Sequence, residues 1–241
     1  VTLDQAKVCE IEKYYEECER LGANEHQIEE SQKAVANMEV IIGDPDRLRA
    51  VAEDFINHYE TRVAEGATVA GKAMFVCMNR YIAYDLYKIL IELRPEWAVK
   101  KVAADGVELS EKDKKELKPI EMLKLVMTRN KDDDKELFDM LGTKDDRKEF
   151  DRQFKNPKSN FKIAIVVDMW LTGFDVPELD TIYIDKPIQQ HTLIQTISRV
   201  NRVCEGKDKG LIVDYIGIKK NMNLALKKYT NFECEEFEGV E

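Results

Sequence analysis

Between Phe161 and Gly217 the strings FKIAIVVDMWLTGFDVP, TIYIDKP, QTISRVNRV and GLIVDYIG follow one another with almost no spacer. The first holds an unbroken apolar run that ends in Asp168. A strand without polar alternation must be buried on both faces, which is the condition of a parallel sheet covered by helices on either side. A turn carrying Thr172, Gly173, Phe174 and Asp175 follows, then a second apolar strand around Thr181 to Ile184. Pro187 stops that strand, because proline cannot donate to a sheet ladder. Ala73 to Cys77, Leu123 to Thr128 and Leu211 to Val213 read as further strands, and Tyr81 to Glu92 and Thr143 to Lys155 as helices, with a break at Pro95. Strands alternating with helices imply an α/β parallel sheet with right-handed crossovers and ligands beyond the carboxyl ends of the strands. The turn at Asp175 and the helix after Pro187 are therefore expected on that carboxyl rim.

That helix has two faces. With Gln195 as origin and about 100° per residue, Arg199 and Arg202 fall within roughly 40° of it. Leu193, Ile197, Val200 and Cys204 fall opposite, so the helix buries one side and projects a glutamine and two arginines from the other. Arginine pairs on a helix are commonly a solvated face. Here they follow a buried strand and a Gly-Asp turn, and a planar guanidinium suits bidentate capture of phosphate oxygens.

Gln195-Thr-Ile-Ser-Arg199-Val-Asn-Arg202 resembles motif VI of superfamily 2 helicases and translocases, and Thr172-Gly173-Phe174-Asp175 resembles motif V. Together with IDKP, GLIVDYIG and, upstream, KLVMTRNKDD and LGTKDDRKEFDRQFKNP, these strings are similar to the second RecA-like lobe, motifs IV to VI, of the restriction (R) subunit of type I restriction enzymes. Many relatives carry Gly before the first arginine, where this chain has Ser198. The resemblance implies that Arg199 and Arg202 act as arginine fingers on the γ-phosphate of an ATP whose Mg²⁺ and phosphates are held mainly by a first lobe, with Gln195 positioning them. It implies that Gly173 and Asp175 approach the nucleotide, Asp175 at the ribose, and that Thr172, Asn79 and Arg80 lie near the DNA backbone. For Asp175 a turn or capping carboxylate is the alternative. The implied partners are double-stranded DNA, the first motor lobe and nuclease domain of the same polypeptide, and the modification and specificity subunits.

No G-x-x-x-x-G-K-[ST] loop and no acidic box for Mg²⁺ occurs, and the chain starts at Val1, so a fragment without its own phosphate cradle is expected, inactive alone. The formal charge is −10. Residues 1–60 hold 15 acids and 6 bases, a net of −9, which leaves −1 for the remainder. The expected organisation is a mainly helical acidic leader over 1–66, a RecA-like lobe over 67–218, and a C-terminal helix and loose acidic tail over 219–241. In the leader, Asp44 caps and Pro45 opens a helix with an apolar stripe of Leu48, Val51, Ala52, Phe55 and Tyr59, expected to pack on the lobe or bridge to the other. Lys100 to Lys118 reads as a polar surface excursion.

Five scattered cysteines without C-x-x-C point to neither a disulfide framework nor zinc, and with no signal peptide or long apolar run the expected setting is cytoplasmic, away from membranes. Within the motor reading, the second lobe of another superfamily 2 DNA or RNA helicase is the alternative family, and two other functions compete. Asp105 with Glu116-Leu-Lys118 mimics a D…E-x-K nuclease site, but in a segment with helical charge spacing. A binding module would use the arginine helix to dock an acidic partner without catalysis. His26, His58 and His191 are too dispersed for histidine chemistry.

Overall fold

The computed structural model describes residues 36–217, apart from 105, 172, 189 and 208. The leader up to residue 35, the expected C-terminal helix and tail, Thr172 and Asp105 lie outside the described residues. After a helical stretch at 36–42 come α1 (Pro45–Ala64), β1 (Lys72–Cys77), α2 (Arg80–Leu93), a 3-10 turn (Pro95–Ala98), α3 (Glu111–Glu116) and β2 (Leu123–Val126). They are followed by α4 (Lys135–Leu141), α5 (Lys144–Lys155), β3 (Ile163–Val166), β4 (Leu179–Asp185), α6 (Gln190–Val200) and β5 (Leu211–Asp214).

All five strands are parallel, in the order β2-β3-β1-β4-β5. Phe75 lies beside Ile165 on one side and Tyr183 on the other, and Tyr183 lies beside Val213, so the carboxyl ends of the strands line up along one edge. β1 to β4 are buried throughout, as their apolar runs require. One face of the sheet packs Phe55, Tyr59, Phe75, Trp97, Tyr183 and Tyr215 with α1 and α2. The other packs Phe154, Phe161, Trp170, Phe174, Leu193 and Val200 with α5 and α6. The fold class read from the sequence, a parallel sheet with helices on both faces, is the one found.

Local chemistry accounts for the helix ends. Asp44 accepts from the Arg47 backbone N at 3.0 Å with Pro45 in the first turn, and the whole expected stripe from Leu48 to Tyr59 is buried against the sheet. α1 therefore packs on the lobe. Asn79 caps α2 by accepting from Tyr81 and Ile82, and Thr143 opens α5 in a reciprocal capping box with Asp146. The 100–118 segment carries the short helix α3 and is stitched inward by bridges from Lys101 to Ile120 and Ala103 to Ser159. The seven-residue α4 has no counterpart in the sequence expectations.

One expectation needs correction. α6 stops at Val200, so Arg202 is not on the helix with Gln195 and Arg199 but in the turn beyond it. The stop is tertiary in origin. Gly210 passes so close under the end of α6 that a Cβ built there would lie 2.2 Å from the Val200 carbonyl oxygen, and a further helical turn would occupy the space where the chain returns to β5.

Candidate functional site

Two groups of candidate residues stand at opposite edges of the sheet. At the carboxyl edge, the ends of β1, β2 and β3 open into a cleft of about 480 Å³ lined by Asn79, Arg80, Thr128 and Asp168, with Met78, Met127, Met169, Tyr81 and Glu39 around them. Asn79 spends its side-chain oxygen on capping α2. One Arg80 nitrogen donates to both oxygens of the buried Asp133 at 2.5 Å and to the Thr128 carbonyl at 3.2 Å, which ties the loop after β2 to the start of α2. Asp168 pairs with Lys186, which also donates to the Val167 carbonyl. The cleft is thus close to neutral, with its cations already matched by carboxylates.

At the amino edge, Asp175 meets the Nε of Arg202 at 3.4 Å, with both side chains about half exposed. The sequence placed this pair on the carboxyl rim. The structure places it near the first residues of β4, because α6 starts after the carboxyl end of β4 and its 11 residues carry the chain back by roughly 16 Å, at about 1.5 Å per residue. The turn beyond the helix is pinned there: Lys207 Nζ donates to the carbonyls of Pro177 at 2.9 Å and Leu179 at 2.8 Å. Burial holds the Lys207 ammonium below the usual lysine pKa, so this cation belongs to the scaffold and not to a free basic patch.

Arg199, in the last turn of α6, is half-buried, and its Nε is shielded from solvent without a hydrogen-bond partner. Gln195 is half-buried one turn earlier. Ser198 folds its hydroxyl back onto the Gln195 carbonyl at 2.7 Å, so its polar group is absorbed by the helix itself. Gly173 has φ +70 with open space around it, so glycine is needed there for backbone conformation and not for room. Thr172 lies outside the described residues. Glu116 ends the exposed helix α3 and Lys118 pairs with Glu149 at 3.7 Å, so the E-x-K string is on no strand.

The sequence reading missed the group on which the carboxyl edge hangs. Asp185, the acid of IDKP, is fully buried and bonded by Arg47 of α1, whose guanidinium also donates to the Ile42 carbonyl at 3.0 Å and the Tyr215 carbonyl at 3.3 Å. The signal was present: a lone carboxylate ending an apolar strand must find a cation.

Residues 69–217 match the family described as Type I restriction enzyme subunit R domain 3. The chain is 37% identical over 206 residues to the Type I restriction enzyme HindI endonuclease subunit of Haemophilus influenzae, covering 84% of this chain and 18% of that protein. It is 49% identical over 72 residues to the Type I restriction enzyme SsaAORF53P endonuclease subunit of Staphylococcus saprophyticus, covering 30% of this chain and 8% of that protein. It thus spans less than a fifth of the length of these relatives. Among solved structures, T4 UvsW is similar at a TM-score of 0.41 and 14% identity, over 83% of this chain and 30% of that one.

Proposed function

The chain belongs to the domain 3 family of type I restriction enzyme R subunits, and on that premise we propose that it is the second motor lobe of an ATP-dependent DNA translocase. In this reading Arg202 and Arg199 reach the γ-phosphate of an ATP, with its Mg²⁺, held mainly by a first lobe, Gln195 orients them, and Gly173 and Asp175 stand at the nucleotide. The observation that supports it most is the Asp175–Arg202 contact. An ion pair this long and half exposed is worth about 0–1 kcal/mol, so it keeps the guanidinium oriented yet releases it to a triphosphate, which offers more charge and a bidentate partner. The unpartnered Nε of Arg199 is a second donor with no protein acceptor.

Duplex DNA is proposed to run over the carboxyl edge, near Asn79 and Arg80, with Thr172, which lies outside the described residues, as a further proposed contact. Because Asp133 already neutralises Arg80, contacts there are few and weaken with salt. The nuclease domain and first lobe of the same polypeptide, and the modification and specificity subunits, are the proposed partners.

The test uses the intact R subunit in its assembled enzyme. Arg202→Ala or Arg199→Ala is expected to lower DNA-stimulated ATP turnover by about 10³-fold, the scale on which arginine fingers act. Lysine is expected to rescue poorly, being a point charge without the planar fork. ATP affinity should change far less. Unchanged turnover in a folded variant would reduce both arginines to solvated surface.

A further inference from the structure

The segment from Asp168 to Asp175 runs from the carboxyl-edge cleft to the amino-edge ion pair, and Trp170 lies in it under unusual constraint. Among the described residues it is the one non-glycine with a positive φ, at 69°, a conformation that a side chain with a Cβ rarely adopts. Such a backbone persists only where the surroundings over-determine it. Here the surroundings are aromatic. The Trp170 ring lies flat on Phe174, with centroids 4.1 Å apart and planes at 3°. Phe154, from the end of α5, backs both rings at 5.2 and 6.1 Å. Lys155 from the same helix end caps Phe174 at 4.9 Å, and the buried Lys72 lies over Phe154 at 5.0 Å.

The stacked Phe174 stands between Gly173, at φ +70, and Asp175, which follows it directly. The direction in which Asp175 leaves the turn is therefore set by where Phe174 is held, and Phe174 is held by Trp170. We propose that Trp170 is a positioning residue for the motor: its stack on Phe174 fixes the Gly173 turn so that Asp175 meets Arg202. This inference rests on the reading of Asp175 and Arg202 given under Proposed function.

The experiment uses the intact R subunit in its assembled enzyme, with ATP turnover as readout. Trp170→Leu keeps buried apolar bulk but removes the flat face, and is expected to lower kcat about 10-fold or more, as small misplacements of a reacting group do. Trp170→Phe keeps a ring and is expected to stay within about threefold of wild type. Because Trp170 acts through Asp175, the two losses should not multiply: in an Asp175→Ala background, Trp170→Leu should cost no more than about a further twofold. Independent, multiplying losses would overturn the proposal, as would wild-type turnover of Trp170→Leu. Should Trp170→Leu fail to fold, Phe174→Leu removes the other half of the stack and is read in the same cycle by the same criteria. Arg202→Ala measured alongside separates the two readings. If it leaves turnover intact, the arginine assignment fails. If it abolishes turnover while the stack variants behave as wild type, only the positioning role fails.

Discussion

Arg47 and Asp185 face each other out of water, with side chains 6% and 0% exposed, whereas Arg202 and Asp175 face each other in it, at 48% and 58%. The same pair of residue types therefore carries opposite burdens. Removing one partner of a buried pair leaves an uncompensated charge, which costs about 3–5 kcal/mol. Arg47→Met should lower the denaturation free energy by that order, and pairing it with Asp185→Leu should recover much of the loss, since no orphaned carboxylate remains. A urea titration of the two variants checks this, and equal destabilisation by the single and double changes would show that the charge is not the cause. Arg202→Ala, by contrast, should stay within about 0.5 kcal/mol of wild type. The sequence distinguished these arginines only in part: the 195–202 string marked Arg202, while nothing local to Arg47 named a carboxylate 138 positions away.

Element boundaries were legible where the cause is local. The Asp44–Pro45 start of α1 and the Thr143 start of α5 are written in side chains that bond their own first turn. The end of α6 is not, because Val203 and Cys204 continue a plausible helical pattern and the stop comes from Gly210 pressing against Val200. Gly210→Ala is therefore expected to destabilise by about 1–3 kcal/mol, as overpacking does, and to shift the turn that carries Arg202. A thermal melt together with ATP turnover of the intact subunit tests both parts; an unaltered melt would mean the close approach relaxes without cost. The short α4 escaped the sequence reading for a different reason: two turns offer too few apolar positions for periodicity to register.

For the molecule as a whole, the alternation of apolar runs with amphipathic stretches announced a parallel sheet, but the order β2-β3-β1-β4-β5 depends on which crossovers the chain takes, and no residue encodes that alone. Burial of ionisable groups on this scaffold sets its response to alkali. Desolvation lowers the Lys162 ammonium to about 8 and holds Lys72 well below the usual lysine value, whereas burial raises the phenols of Tyr59, Tyr183 and Tyr215. Between pH 8 and the usual lysine value of 10.5, the unfolded chain binds protons that the folded chain has released at Lys162, so stability rises with pH. Above about pH 10 the unfolded tyrosines ionise while the buried ones stay protonated, so stability falls. Unfolding free energies from urea titrations should climb between pH 8 and 10, by on the order of 2 kcal/mol from Lys162, then drop. Lys162→Met should remove its share of the climb and leave that of Lys72, and an undiminished climb in that variant would assign it elsewhere.

The cleft lies at the carboxyl ends of β1, β2 and β3 and the Asp175–Arg202 pair near the first residues of β4, so about the length of a strand parts them: the seven residues of β4 span about 23 Å at roughly 3.3 Å each. Mobile ions damp a field over about 8 Å under physiological conditions. A phosphate arriving at one end is therefore electrically silent at the other, and any conversation between the two must travel as movement of the covalent chain that joins them, as a lever transmits a push. Under the proposed reading, salt then weakens the hold on DNA at the cleft without altering what the chain relays to the ion pair.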